Sequence, residues 1–104
     1  MNSLANNTLI QVLKNISEDA NYQQKYIIDL LGNDCQNVDE ILLEYDDCKY
    51  IIDEYDTNIQ KLFLELDEVL NEIDELGLHQ FCNLEHQLWY KVRKIAKEIL
   101  NEIV

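Results

Sequence analysis

Proline is absent from the sequence, and glycine occurs only as Gly32 and Gly77. Because these residues build most tight turns, their scarcity argues against a hairpin-rich all-β fold and against a glycine-rich phosphate loop. No run of about 18 apolar residues occurs, and the opening MNSLANNTL lacks a basic stretch followed by an apolar core. We therefore expect neither a membrane span nor a signal peptide. The abundant residues, among them Leu, Ile, Glu and Lys, favour long helices.

Cysteine is also scarce. Cys35, Cys48 and Cys82 are widely spaced and odd in number, which fits a reducing compartment better than a disulfide scaffold. We expect a cytoplasmic protein, or one that acts in the host cytoplasm if its source is viral. Because 104 residues is the length of one ordinary domain, we predict a single helical domain over residues 1–104.

Basic residues are few, and the net charge is −13. Such a charge repels nucleic acid and anionic membranes and favours partners with basic surfaces. The acids are also unevenly distributed: fourteen of the 21 lie between Val38 and Leu76, where Lys49 and Lys61 are the only bases. One segment therefore carries almost all of the net charge.

The same acidic segment has an uninterrupted heptad pattern. Apolar or aromatic residues recur at alternating steps of three and four, at Val38, Ile41, Tyr45, Cys48, Ile52, Tyr55, Ile59, Leu62, Leu66, Val69, Ile73 and Leu76. The pattern predicts one long acidic helix, about 38–76, with Asn37 as its N-cap and Gly77 after its end. Such a helix would be about 58 Å long. We favour continuity, and the alternative is a kink at residues 55–58 where Thr57 or Asn58 caps a new helix.

Two further segments flank the long one. The first has apolar spacing through Leu9, Leu13, Ile16, Ala20, Gln23, Ile27 and Leu30, and it forms one helix, or two if Ser17 is an N-cap. The last has an apolar face through Phe81, Leu84, Leu88, Val92, Ile95, Ile99 and Ile103. We predict an all-α antiparallel bundle of three to four helices, with short loops around residues 33–37 and 77–80.

Opposite the apolar seam, the predicted long helix has an acidic face. Ten of its twelve b and c heptad positions are Asp or Glu, and Leu43, Tyr50 and Leu64 lie on the line between them. A face that serves solubility alone normally mixes charge signs, because like charges one turn apart are mildly destabilising. We predict that this face binds a partner through Asp39, Glu40, Leu43, Asp46, Asp47, Tyr50, Asp53, Glu54, Leu64, Asp67 and Glu68.

A basic partner surface often belongs to an enzyme that handles nucleic acid, so the acidic face could imitate a phosphate backbone. At one charge per roughly 5 Å it would match a single strand better than a duplex. In its acidic, helical character the chain resembles the small proteins that phages use against host nucleases, and also helical immunity proteins that neutralise a toxin or bacteriocin. Neither class of proteins shares a motif with this chain. The segregated charge and the apolar line within it support an inhibitor or antagonist, and we expect neither enzymatic activity nor a cofactor.

Two other functions fit the pattern. In one, the apolar seam forms a coiled-coil homodimer and the acids keep it soluble. In the other, the acid pairs Glu44 with Asp47, Glu65 with Glu68 and Glu72 with Glu75 hold magnesium, a spacing similar to that of all-helical nucleotide pyrophosphohydrolases. That site would need carboxylates from neighbouring helices, whereas these acids lie mainly on one.

Two smaller clusters complete the sequence features. His79, Cys82 and His86 would share one face of a continuous helix and are weak candidates for a zinc site, which would need a fourth ligand such as Cys35 or Cys48. Asn83 is a competing N-cap that would break that helix. The segment KVRKIAK, residues 91–97, is the only basic cluster, and we expect it to pair with acids such as Glu65 or Glu72 of the long helix.

Overall fold

A computed structural model describes residues 3–104, with side chains from residue 6 onward, and these residues fold into a helical bundle. Its α-helices are α1 Ser3–Ser17, α2 Ala20–Leu31, α3 Asp39–Cys48, α4 Thr57–Leu76 and α5 Gln87–Ile103. A first 3₁₀ helix, Lys49–Glu54, follows α3, and a short second one, Phe81–Asn83, precedes α5. The prediction of an all-α bundle is confirmed. The described residues contain five α-helices rather than three or four, because two of the predicted segments divide.

The N-terminal segment divides at residues 18–19. Ser17 ends α1, and its hydroxyl donates to the carbonyl of Lys14 at 2.8 Å. Asp19, not Ser17, is the N-cap of α2, because its carboxylate accepts a hydrogen bond from the Tyr22 amide at 2.8 Å. The division into two helices was one of the two predicted alternatives, but the predicted capping residue was wrong.

The predicted continuous helix over residues 38–76 is wrong, since the chain leaves the α-conformation after Cys48. A 3₁₀ helix has three residues per turn, so Ile51, three residues after Cys48, enters the core in place of Ile52 of the heptad. Tyr55 and Asp56 are then extended, with ψ of 164° and 169°. The Asp56 carboxylate accepts from the Ile59 amide at 3.0 Å and caps α4. The cap therefore lies one residue before Thr57 and two before Asn58, the predicted alternatives.

The helix ends of this region agree better with the sequence. Asn37 sits just before α3, and its side-chain oxygen accepts from the Asp39 amide at 3.1 Å, although Val38 occupies the N-cap position itself. Gly77 ends α4 in the left-handed conformation, with φ of 67°, where a side chain would be strained. Both residues mark the predicted boundaries to within one position.

The core lies where α1 and α4 pack on either side of α5, with α3 packed on α1. Its largest fully buried side chains include Trp89, Tyr45 and Phe63, and the core draws on all five α-helices. The longest dimension of the molecule is 38 Å, shorter than the helix that the heptad pattern predicts. Leu30, predicted to be in the core, is half-exposed at the end of α2.

The cap at Asp56 gives a test of the break between α3 and α4. We expect Asp56→Ala to lower the free energy of unfolding by about 1 kcal/mol, because it removes the acceptor for the Ile59 amide. Chemical denaturation followed by circular dichroism measures this. Asp53→Ala is the matched control, since the Asp53 side chain is exposed and caps no helix. Equal stability of the two variants would contradict the assigned cap.

Candidate partner-binding surface

Because of the break at Asp56, α3 and α4 run antiparallel and form a hairpin. Tyr45 of α3 contacts Asp67 of α4 through a hydrogen bond of 2.8 Å, and the amide of Val38, before α3, donates to the carbonyl of His79, after α4, at 3.0 Å. The two backbones approach each other at few points, so side chains span the gap between them. The predicted single acidic face is therefore folded back on itself.

An open cavity of about 550 Å³ lies between the two helices. Its apolar part comes from leucines, its polar part from carboxylates, an amide, a phenol and a histidine. We call it the acidic groove, and its lining residues are Asp39, Leu42, Leu43, Tyr45, Asp46, Leu70, Asn71, Asp74 and His79. Apolar surface thus lies between acidic edges.

A basic side chain lies between the two helices at each end of the acidic groove. At one end, the His79 ring lies 3.1 Å from Asp74 through Nε2 and 3.3 Å from Asp39 through Nδ1. The Asp74 contact is a hydrogen bond, whereas the Asp39 contact has no hydrogen-bond geometry and attracts only when the ring is protonated. At the other end, Lys49 Nζ lies 3.2 Å from Asp67 and 4.0 Å from Asp46. The Lys49 contacts therefore show that an ammonium group fits between carboxylates of the two helices.

Two tyrosine hydroxyls donate hydrogen bonds to acids of the hairpin. Burial, followed by the charge of Asp67 and the hydrogen bond to it, strongly raises the pKa of Tyr45. Burial and a hydrogen bond to Glu44 raise the pKa of Tyr26 to about 12. Tyr26 donates to both carboxylate oxygens of Glu44 at 2.9 Å. Both phenols therefore stay protonated at neutral pH and act as donors that fix α2, α3 and α4 against one another.

The predicted partner-binding residues divide between the groove and its surroundings. Asp39, Leu43 and Asp46 line the groove, while Asp67 stands beside it as the acceptor of Tyr45. The other seven lie elsewhere on the hairpin: Glu40, Asp47, Tyr50, Asp53, Glu54, Leu64 and Glu68. Glu40 is half-buried, and the other six are exposed. Leu43, Tyr50 and Leu64 expose 56%, 68% and 62% of their surface, as their place opposite the seam predicts.

Sequence reasoning missed six of the nine groove residues, namely Leu42, Tyr45, Leu70, Asn71, Asp74 and His79. Asp39 and Asp74 occupy equivalent heptad positions near opposite ends of the segment, so only a chain reversal brings them together. The signal that could have shown this was the pair of polar residues Asp56 and Thr57 at the helix start. The unbroken heptad phase, in contrast, favoured a continuous helix.

The candidate zinc ligands do not meet. His79 is engaged by Asp39 and Asp74, whereas the His86 ring caps α5 by accepting from the Leu88 amide at 3.0 Å. Cys82 lies in the second 3₁₀ helix, and its thiol contacts the side-chain oxygen of Gln80 at 3.8 Å. His86, rather than the predicted Asn83, is the cap of α5. Within the described part of the chain, no group of three or more His, Cys, Asp or Glu side chains could hold a metal ion.

The acid pairs considered for magnesium are also dispersed. Glu44 is bound by Tyr26, and its predicted companion Asp47 is exposed. The remaining four acids, Glu65, Glu68, Glu72 and Glu75, are exposed along α4. Charge on these residues therefore faces solvent rather than a shared pocket.

The basic cluster on α5 does not pair with the acids of α4. Arg93 is buried, and its Nη2 donates to the side-chain oxygen of Gln23 at 3.0 Å and to the carbonyl of Leu84 at 2.7 Å. Burial lowers its pKa, although nearby Glu85 and Asp19 oppose this effect. Lys91, Lys94 and Lys97 are exposed and form no ion pair among the described residues. The predicted pairing with Glu65 or Glu72 is therefore wrong.

A second exposed apolar patch lies on α2, next to Tyr26, whose hydroxyl contacts Glu44 of α3. Tyr22, Leu30 and Leu31 expose 41%, 51% and 49% of their surface. Tyr22 and Leu30 also line a cavity of about 350 Å³ with Lys25 and Asp29, which pair with each other at 2.7 Å. This patch has balanced charge, whereas the groove is acidic.

Comparison with known proteins finds no matching family model, no significant match among curated proteins and none among solved structures. Among the described residues, no helix has both the length and the apolar character that a bilayer crossing requires.

Proposed function

We propose that the protein acts by binding another protein with a basic surface, as an inhibitor or antagonist, through the α3–α4 hairpin. The observation that supports this most is the acidic groove, in which exposed leucine surface lies between carboxylates. Apolar contact supplies affinity, and the surrounding charge steers and selects a basic partner. Charge placed only for solubility does not require apolar groups within it.

The acids around the groove support the same proposal. Asp47, Asp53, Glu54 and Glu68 are exposed and form no ion pair among the described residues. Their repulsion is a cost in the free protein, and a cationic partner would relieve it. An enzyme that handles nucleic acid is the partner class we propose, because its substrate-binding surface is basic. Since the acidic face folds back within a molecule 38 Å long, imitation of an extended phosphate strand is a smaller part of this proposal than ordinary protein recognition.

Neutralising the four exposed acids tests the proposal. The variant combines Asp47→Asn, Asp53→Asn, Glu54→Gln and Glu68→Gln, and affinity capture from lysates of the source cell, or of its host, supplies the partner. We expect the affinity for the recovered partner to fall about tenfold or more, since each exposed charge contributes up to about 1 kcal/mol.

A second set of four acids provides a control with the same net charge. Glu18→Gln, Asp34→Asn, Glu98→Gln and Glu102→Gln neutralise exposed residues outside the hairpin. We expect this variant to bind like the wild type. Equal loss in both variants would show that total charge, not the hairpin, governs binding, and no loss in either would exclude the acidic face.

The alternative is a structural homodimer, and the α2 patch favours one form of it. The heptad seam is not available for this role, because Ile41, Tyr45, Leu66 and Ile73 are buried within the chain. A dimer would instead bury Tyr22, Leu30 and Leu31. Sedimentation at several concentrations distinguishes the two functions, and a dimer that Leu30→Lys converts to a monomer would support the alternative.

A further inference from the structure

We infer that the acidic groove binds one specific segment of the partner. This segment is an amphipathic helix whose leucine-like residues are flanked by Lys or Arg. This inference rests on the proposed function and narrows it. The exposed acids could attract any basic surface, whereas the groove has a shape and an apolar lining that select among basic surfaces.

The first argument is the lining of the groove. Leu43 is 56% exposed, and Leu42 and Leu70 are half-buried, with their inner atoms packed against the core. These leucines come from two antiparallel helices whose backbones stay apart. A space of this kind between two helices is where a third helix packs, with apolar residues one turn apart as its anchors.

The second argument is charge. Asp39, Asp46 and Asp74 line the groove with 57%, 64% and 78% of their side-chain surface exposed, although each already contacts His79 or Lys49. Each carboxylate can accept several hydrogen bonds, so these contacts leave acceptor sites free. A partner cation can therefore bind to each carboxylate beside its existing contact with His79 or Lys49. An acidic segment would instead be repelled by the three carboxylates, and a neutral one would leave their charge uncompensated.

The third argument concerns other occupants. A second copy of this chain also carries a net charge of −13, so two copies repel each other. Among the described residues, the exposed Lys91, Lys94 and Lys97 are the basic cluster that could oppose this repulsion, but they lie on α5, which is packed against α1 and α4 of its own bundle. Nucleic acid is excluded by the sign of its charge. A basic helix of another protein is the occupant that satisfies both the apolar and the acidic lining.

A nitrogen-15 NMR titration tests the inference with a defined probe. The probe is a synthetic Leu/Lys peptide with a heptad pattern, and the control peptide has the same composition in a scrambled order. We expect the patterned peptide to shift the amide signals of Leu42, Leu43, Leu70 and Asn71 more than those of the exposed acids outside the groove. The scrambled peptide should bind about tenfold more weakly, because it cannot present its leucines on one face.

Two matched variants locate the binding. Leu43→Lys adds a cation inside the groove, and Leu64→Lys adds the same cation on exposed α4 surface outside it. We expect Leu43→Lys to weaken the patterned peptide about tenfold more than Leu64→Lys does. Both residues are exposed, so both variants should keep the wild-type circular dichroism spectrum.

Four results would overturn the inference: no binding, equal affinity of the two peptides, equal effects of the two lysine variants, or groove signals that shift with protein concentration alone. The last would identify a second copy as the occupant.

Failure of the groove test is separable from failure of the proposed function. If the four-acid hairpin variant loses its partner while Leu43→Lys retains it, the hairpin binds through its outer acids and not through the groove.

Discussion

Truncation of Trp89 to alanine is expected to lower the free energy of unfolding by about 3–5 kcal/mol, the largest effect of any single change considered for this protein. The indole is 1% exposed, and its Nε1 donates to the carbonyl of Leu78 at 2.8 Å. It therefore fills the core at the start of α5 and also fixes the chain just after Gly77, where α4 ends. Loss of this side chain creates a cavity and leaves a carbonyl oxygen without its partner.

Urea denaturation measures the effect, and Trp89→Phe separates its two parts. Phenylalanine keeps most of the apolar volume but cannot donate to Leu78, so we expect a loss of about 1–3 kcal/mol. Because small proteins have total stabilities of about 5–15 kcal/mol, this loss is a large share of the total. A loss below about 1 kcal/mol for Trp89→Ala would contradict the assigned packing.

The second large effect is expected at Gln23, which lies at the centre of a buried polar network. Its side-chain nitrogen donates to the carbonyls of Asn15 and Ile16 at 3.3 and 3.0 Å, and its oxygen accepts from Arg93 at 3.0 Å. Gln23→Leu would leave both carbonyls at the end of α1 without this donor. It would also remove one of the two acceptors of a buried guanidinium. We expect a loss of about 2–4 kcal/mol.

A double-mutant cycle with Arg93→Met tests whether the network acts as a unit. Once Gln23 has been replaced by leucine, removal of the guanidinium also removes a poorly satisfied buried charge. The double variant should therefore lose at least about 1 kcal/mol less than the sum of the single losses. Thermal and urea denaturation provide the values. Strict additivity would mean that Gln23 and Arg93 stabilise the bundle independently.

Local patterns predicted the helices themselves, because burial of an apolar stripe depends on spacing that the sequence displays directly. Leu9, Leu13, Ile16 and Ile27 are buried as their spacing predicts, and Gly77 ends α4 at the predicted residue. Most of the acids opposite the seam are also exposed as predicted, whereas Glu40 and Asp67 are half-buried. These features depend on residues that are near one another in the chain.

The break between α3 and α4 was not predictable in the same way. The heptad phase of Tyr55 and Ile59 is compatible with either a continuous helix or a reversal, since the reversal still buries most of the predicted stripe, with Leu76 as its exposed end. In the structure, Asp56 caps α4, and the side chain of Gln60 donates to the carbonyl of Tyr55 at 2.8 Å. The reversal lets α3 pack on α1 while α4 packs on α5. These contacts between helices have no signature in the local sequence.

The groove was hidden for the same reason. Asp39 and Asp74 are far apart in sequence, and His79 was considered as a metal ligand rather than as a bridge between them. Arg93 shows the opposite error. Its place in a basic cluster suggested an exposed ion pair, whereas it is buried and hydrogen-bonded to Gln23 and Leu84. Long-range polar contacts of this kind depend on the packing of helices, which composition and periodicity do not specify.

Footprinting of the partner complex by hydroxyl radicals tests most directly whether the hairpin is the binding surface. The chain contains its own control, because Leu43, Tyr50 and Leu64 are exposed on the hairpin while Tyr22, Leu30 and Tyr90 are exposed elsewhere. With the captured partner bound, we predict that Leu43 and Tyr50 lose reactivity and that Tyr22, Leu30 and Tyr90 keep it. Protection of Tyr22 and Leu30, with Leu43 and Tyr50 still reactive, would contradict the proposal and place the partner on α2.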